Sequence, residues 1–334
     1  MTMGRVVSRL GLTAALLMAV APGAFAQTSI LNASYDVSRE LYKDIDPAFS
    51  ASWKKSSGND IEVKQSHGGS TKQAQSVAEG LEADVVTLNQ PTDLDFLVSK
   101  GVVSSDWRTK FPHGAAPYTT TTVFLVRKGN PKAIADWDDL VKPGISVVIP
   151  NPKTSGNGRY TYLAAWGYAH DKLGSDDKAR DFVSKLFANV PVFDGGGRGA
   201  TTSFTQRAIG DVLVTFENEA ALIKAEVDGQ NFDVVYPSVS VEAAPPIAIV
   251  NTVVEKRKTA DAAKAYLDFL YSDDAQKIIA KHHFRPRSEA VLKEANLPAI
   301  KTFSVEDKIG PWATVQKTHF ADGGIYDQIT TKKN

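Results

Sequence analysis

Four short runs in this chain combine glycine with hydroxyl, amide or carboxylate side chains, each between an apolar run and a helical pattern. They are Ser34-Tyr35-Asp36, Ser66-His67-Gly68-Gly69-Ser70, Thr154-Ser155-Gly156-Asn157-Gly158 and Asp194-Gly195-Gly196-Gly197-Arg198-Gly199. The start of a helix leaves backbone N–H groups unpaired and carries partial positive charge, so it can hold an anion. Glycine lets the backbone approach closely, and serine and threonine add hydroxyl donors. Taken singly, each run is equally an ordinary turn with an N-cap. Four of them at the carboxyl ends of strands in one α/β chain point to an anion site.

Other chemistries find less support. The six histidines show no metal-ligand spacing. Ser70 and Ser155 lack a G-x-S-x-G elbow and an evident base partner. The Gly195–Gly199 run lacks the Lys-Ser/Thr of a nucleotide-binding loop.

The elements that must position these loops alternate. Apolar strand-like runs at 29–34, 61–65, 83–88, 146–149, 190–193, 211–216, 232–236 and 247–253 are interleaved with helical patterns at 70–81, 158–169, 177–188, 260–271 and 272–282. This alternation predicts βαβ units and mainly parallel sheets. A Thr- and Val-rich extended stretch, Tyr118 to Arg127, interrupts the series.

The chain has 334 residues, and 43% of them are hydrophobic. Such a length predicts about two domains. At the N-terminus, Arg5 and Arg9 precede an apolar run from Leu10 to Ala21, followed by Ala24-Phe25-Ala26. That order predicts a secretory signal peptide over 1–26 and a mature start at Gln27. Without it the chain carries 36 basic against 38 acidic residues, which offers no basic surplus for nucleic acid. There is no cysteine, which excludes disulfides, thiol chemistry and a lipid-anchored N-terminal cysteine. Met1, Met3 and Met18 are the only methionines, so the mature chain contains no sulfur. We take this as economy in a protein made when sulfur is scarce; equal expression in sulfate-rich and sulfur-starved cells would contradict it.

Together the motifs Tyr35-Asp36-Val37-Ser38-Arg39-Glu40-Leu41, Gln65-Ser66-His67-Gly68-Gly69-Ser70, Ala83-Asp84-Val85-Val86-Thr87, Asn151-Pro152-Lys153-Thr154-Ser155-Gly156-Asn157, Gly199-Ala200-Thr201-Thr202 and Gly210-Asp211-Val212-Leu213 resemble the periplasmic sulfate/thiosulfate-binding proteins of ABC importers. The likeness runs in order from Ile30 to Gln328. It implies an α/β, two-lobed periplasmic binding protein of type II. Each lobe is a mainly parallel sheet flanked by helices, with the ligand in the cleft between them. Lobe I is expected over 27–118 plus 241–334, and lobe II over 119–240. The resemblance also implies a soluble periplasmic monomer, not an enzyme and without a metal or other cofactor, that delivers sulfate or thiosulfate to an inner-membrane permease.

By residue-wise match, Asp36 is expected to give its backbone N–H to the anion, and Ser70 both its N–H and its hydroxyl. Ser155 is expected to give a hydroxyl, and Gly156, Asn157 and Gly197 their N–H groups. A cradle of donors suits a fully ionised oxyanion and rejects phosphate, whose proton would face no acceptor. The Asp36 carboxylate must then turn away, to cap Ser38 or Arg39 or to meet Arg159. Arg159 and Arg198 are expected to orient the loops rather than touch the anion. Where the sulfate binders carry a tryptophan donor, this chain has Phe216. Phe216, Asn157, the Asn89-Gln90 pair and the Gly196–Thr202 run resemble the thiosulfate-binding branch. An apolar ring suits the weakly accepting sulfur of thiosulfate. The alternatives are a binder of molybdate or another tetraoxyanion and, in a different class, a sulfur-ester hydrolase or transferase. An iron carrier would need clustered tyrosines in the cleft.

Overall fold

The computed structural model describes residues 1–2, 28–226 and 230–331; the expected signal peptide lies almost entirely outside them. The strands, in chain order, are β1 Thr28–Tyr35, β2 Ile61–Gly68, β3 Val85–Thr87, β4 Tyr118–Arg127, β5 Val147–Pro150 and β6 Phe193–Asp194. They continue with β7 Val212–Phe216, β8 Phe232–Val235, β9 Ser240–Ala243, β10 Ile247–Ile249, β11 Arg285–Pro286 and β12 Thr302–Phe303.

The strands form two sheets. The first has the order β10-β3-β1-β2, and the second β12-β9-β4-β7-β5-β6, with β8 and β11 also paired to β4. β1 runs parallel to both β2 and β3, and β5 runs parallel to β6 and β7. Strands such as Val147-Val148-Ile149 are fully buried. Burial of both faces is what helix-covered parallel sheets require.

Register decides where the loops emerge. Tyr35 pairs with Gly68 and Ser34 with Thr87, so the ends of β1, β2 and β3 lie side by side. In the second sheet Pro150 pairs with Asp194, which aligns the loops that follow β5 and β6. All these loops sit at carboxyl ends of strands, where open α/β sheets bind ligands.

The chain passes between the sheets from β3 to β4, from β9 to β10 and again from β10 to β11. The expected lobe boundaries fall at the start of β4 and within β9. Thr121 Oγ1 donates to Val241 O at 2.8 Å, and Ser240 Oγ donates to Thr122 O at 2.8 Å. These bonds tie β4 to β9.

Several elements differ from the sequence-based expectation. The strand expected over 247–253 stops at Ile249, and a helix covers Asn251–Arg257. The β-branched residues there read as strand, but Asn251 Oδ1 accepts the Ser104 N–H at 2.9 Å and the helix buries Val254. Tertiary anchoring outweighs local propensity in such cases. The strand expected over 190–193 shrinks to Phe193–Asp194, because Pro191 has no N–H for a ladder. The short strand β9 and the helices Pro91–Ser99 and Glu217–Ala225 carry no strong periodic signal.

Residues 302–331 are expected with lobe I by their position in the chain. In the structure they also cover helices of the second sheet. Tyr162, on helix Gly156–Leu173, bonds His319 Nδ1 at 2.9 Å, and its ring meets Phe320 at 5.1 Å. Arg180, on helix Asp176–Ala188, reaches Gln328 at 2.7 Å.

Candidate anion-binding site

Each loop ends in a helix start. Ser70 opens helix Ser70–Ala78, Gly156 opens helix Gly156–Leu173 and Gly197 opens helix Gly197–Thr205. Asp36 opens a single 3-10 turn that runs into helix Arg39–Ser57. The third helix begins earlier than its periodicity predicts because Ser155 Oγ accepts the Gly158 N–H at 3.4 Å. That capping role uses an oxygen lone pair and leaves the hydroxyl proton to donate elsewhere.

The two sheets bring these starts together, and glycine is what lets them touch. A methyl on Gly69 would lie 2.5 Å from Thr154 O and 2.9 Å from Gly195 O. One on Gly197 would lie 2.6 Å from Val37 Cγ1, 3.6 Å from Asn157 Nδ2 and 3.7 Å from Asp36 Oδ1. One on Gly156 would overlap the Asn89 side chain, 2.6 Å from Oδ1. Thus all four predicted loops converge, and Asn89, after β3, joins them. The unpaired N–H groups of three helices and one 3-10 turn share one locus, a positive field without a free cation.

Asp36 turns its carboxylate across the cleft. Oδ2 accepts the backbone N–H of Arg198 at 3.1 Å. The expected cap on Ser38 or Arg39 and the pairing with Arg159 are therefore replaced by this bond, because Gly196 leaves room for the carboxylate. Burial raises the Asp36 pKa, opposed chiefly by the Arg198 N–H and guanidinium.

The guanidinium of Arg198 lies 3.7 Å from Glu40 Oε1 and 3.6 Å from Glu219 Oε1. Glu219 is fully buried. Burial pushes its pKa up to about 7, while Arg198 and the Thr201 hydroxyl pull it down. Arg159 is 5% exposed and donates to Pro152 O at 2.8 Å, Thr92 Oγ1 at 3.2 Å and Gln316 Oε1 at 2.9 Å. It ties the third loop to the first sheet's side and to the C-terminal segment. Arg159 is thus held by hydrogen bonds, whereas Arg198 faces two carboxylates and leaves its buried Nε without a hydrogen bond.

Ser70 departs from its expected role in one respect. Its hydroxyl donates to Asp93 Oδ2 at 2.5 Å and accepts the Asn89 N–H at 2.8 Å, so the hydroxyl proton is already engaged. Beside the loops runs a groove of about 700 Å³ whose walls include Thr71, Asp93, Lys153 and Arg159. Among the described residues no group of three or more His, Cys, Asp or Glu could hold a metal. His67 pairs its Nδ1 with Ser34 Oγ at 2.6 Å. Burial, helped by Arg39, lowers its pKa to about 4, so it is neutral at pH 7.

Residues 31–285 match the family described as bacterial extracellular solute-binding protein. The chain belongs to this family. It is 55% identical over 315 residues to the thiosulfate-binding protein of Pseudomonas aeruginosa, covering 93% of this chain and 95% of that protein. It is 50% identical over 306 residues to the sulfate-binding protein of Escherichia coli, covering 91% of this chain and 93% of that protein. Among solved structures, the sulfate-binding protein SubI from Mycobacterium tuberculosis superposes with a TM-score of 0.80 at 34% identity, covering 88% of this chain and all of that one. The architecture is that of a type II periplasmic binding protein, two α/β lobes with a cleft between them. No helix among the described residues is long and apolar enough to cross a membrane.

In this extracellular solute-binding protein Phe216 is the last residue of β7. It is fully buried at the end of β7, with its ring 5.9 Å from that of Tyr160. The neighbouring Thr215 accepts from Asn157 Nδ2 at 3.2 Å, so the third loop is fixed to the strand that carries Phe216. Asn89, Asp93 and Glu219 are the participants that sequence reasoning did not place. The signal for Asn89 is its position just past β3, equivalent to that of Asp36 past β1. Asp93 and Glu219 sit inside helices, and nothing local marks them.

Proposed function

We propose that this solute-binding protein captures thiosulfate, and sulfate with one donor fewer than a tryptophan site would supply. It does so in the periplasm and delivers the anion to the permease of an ABC importer, as a monomer without catalytic activity. The observation that carries this reading is the convergence of four helix starts from two sheets around one locus. The relatives named thiosulfate-binding and sulfate-binding support the ligand class.

The proposed donors are the N–H groups of Asp36, Ser70, Gly156, Asn157 and Gly197 and the Ser155 hydroxyl, with Phe216 against the anion's sulfur. Arg159 and Arg198 position the loops. The proposed lobes, 27–118 plus 241–334 and 119–240, close over the anion by bending at the crossing strands. Calorimetric titration of the mature protein with thiosulfate, sulfate, molybdate and phosphate tests this. Saturable binding of thiosulfate, weaker sulfate and no phosphate is expected; binding of neither sulfur anion overturns it.

A further inference from the structure

Several side-chain atoms around the loops are buried without a hydrogen-bond partner, among them Asn157 Oδ1, Arg198 Nε, Glu219 Oε2 and Asn89 Oδ1, and of these residues Asn89 is the one that joins the two sheets' loops without carrying a charge or supplying a proposed backbone donor. Asn89 is 1% exposed. Its backbone N–H is fixed by the Ser70 hydroxyl at 2.8 Å. Its carboxamide lies against Gly156, so close that a methyl there would sit 2.6 Å from Asn89 Oδ1. It therefore spans two residues of the proposed cradle, one from each sheet's side. Yet Oδ1 is buried without a hydrogen-bond partner. A buried amide oxygen left unpaired costs about 1–3 kcal/mol, a cost that is hard to account for in a structural residue.

The oxygen and nitrogen of a carboxamide exchange places by a half-turn of the group, and their assignment rests on surroundings. Beside a fully ionised oxyanion, an oxygen would repel and an N–H would bind. We propose that Asn89 is a further ligand residue that turns its NH2 group to donate to the bound oxyanion. It would restore the donor lost where Phe216 stands, from the opposite side of the cleft and aimed at an oxygen rather than at the terminal sulfur. Asn89 would thereby contribute to discrimination between the sulfur oxyanions. This inference rests on the function proposed above.

The test is titration of wild type, Asn89→Ala and Asn89→Asp with thiosulfate and sulfate, alongside thermal melts. Asn89→Asp keeps the shape but replaces the donor with an acceptor carrying negative charge. Asn89→Ala should weaken thiosulfate about tenfold, and Asn89→Asp about a hundredfold or more. The ratio of thiosulfate to sulfate affinity should move in the alanine variant, which a purely structural role would not produce. In a wild type labelled with 15N, the Asn89 side-chain NH2 resonances should shift on adding thiosulfate. Affinity of a folded Asn89→Asp protein within threefold of wild type, as a rough limit set by the worth of one charge-assisted bond, overturns the inference alone. Unmoved NH2 resonances on saturation also overturn it if the variants fail to fold. A wild type that binds neither anion overturns the functional reading and this inference together.

Discussion

Asp36 and Arg198 lie 162 residues apart in sequence, yet the Asp36 carboxylate accepts the Arg198 backbone N–H at 3.1 Å across the cleft. The bond joins the end of β1 to the helix start that follows β6. It also pairs a negative group with a backbone donor while fastening two of the loops.

Two substitutions separate those roles. Asp36→Ala removes the acceptor and should weaken anion binding roughly tenfold or more, the worth of a hydrogen bond to a charged group. Asp36→Asn keeps an acceptor and removes the charge, so its affinity should stay within about threefold of wild type. Calorimetry on both checks the pair of outcomes. Equal losses would mean that the charge, not the bond, matters.

Gly69 is a steric gate. A Cβ there meets two carbonyl oxygens from the opposite side of the cleft, at 2.5 and 2.9 Å. Gly69→Ala should therefore block full closure while leaving each lobe folded. Expected is a loss of affinity of roughly tenfold or more, by biasing the open state, with little change in melting temperature. Small-angle scattering should show no compaction on adding ligand.

Phe216→Trp should shift preference toward sulfate by about tenfold relative to thiosulfate, because the indole adds a donor. The ring is fully buried, so the larger side chain should cost about 1–3 kcal/mol of stability. Competitive titration of the two anions reads the ratio. An unchanged ratio removes Phe216 from the selectivity argument.

His319 predicts a pH dependence of folding. Burial holds its pKa near 4 against an ordinary 6.5, so the native state resists the proton that the unfolded chain accepts. Stability is complete above pH 6.5 and falls as the pH drops toward 4, by up to about 3 kcal/mol at 1.36 kcal/mol per pH unit. His319→Phe should reduce that slope, at a constant cost of about 1 kcal/mol for the bond to Tyr162. Urea melts at pH 7.5 and pH 4.5 measure both.

The loops were legible before the sheets were. Glycine, serine and asparagine after an apolar run are demanded by local backbone and capping chemistry, so Ser155-Gly156 and Gly196-Gly197 announce helix starts in the sequence itself. The partners of Asp36 were not legible. Its carboxylate had several plausible local and distant targets, and only the approach of Gly196 selects Arg198. Asn89 was visible as part of a pattern but not as a group facing Gly156. The helix at Asn251–Arg257 reads locally as strand because the residue that anchors it, Ser104, lies far away in the chain.

By itself the sequence determined the α/β alternation, the four anion-type loops, the absence of cysteine and the family likeness, because each is fixed by local periodicity, turn chemistry or composition. Only the tertiary structure decided which loops meet, that Ser70 gives its hydroxyl to Asp93, and that the C-terminal segment lies over Tyr162. Those outcomes depend on strand register and on contacts between residues distant in the chain. No window of local sequence contains that information.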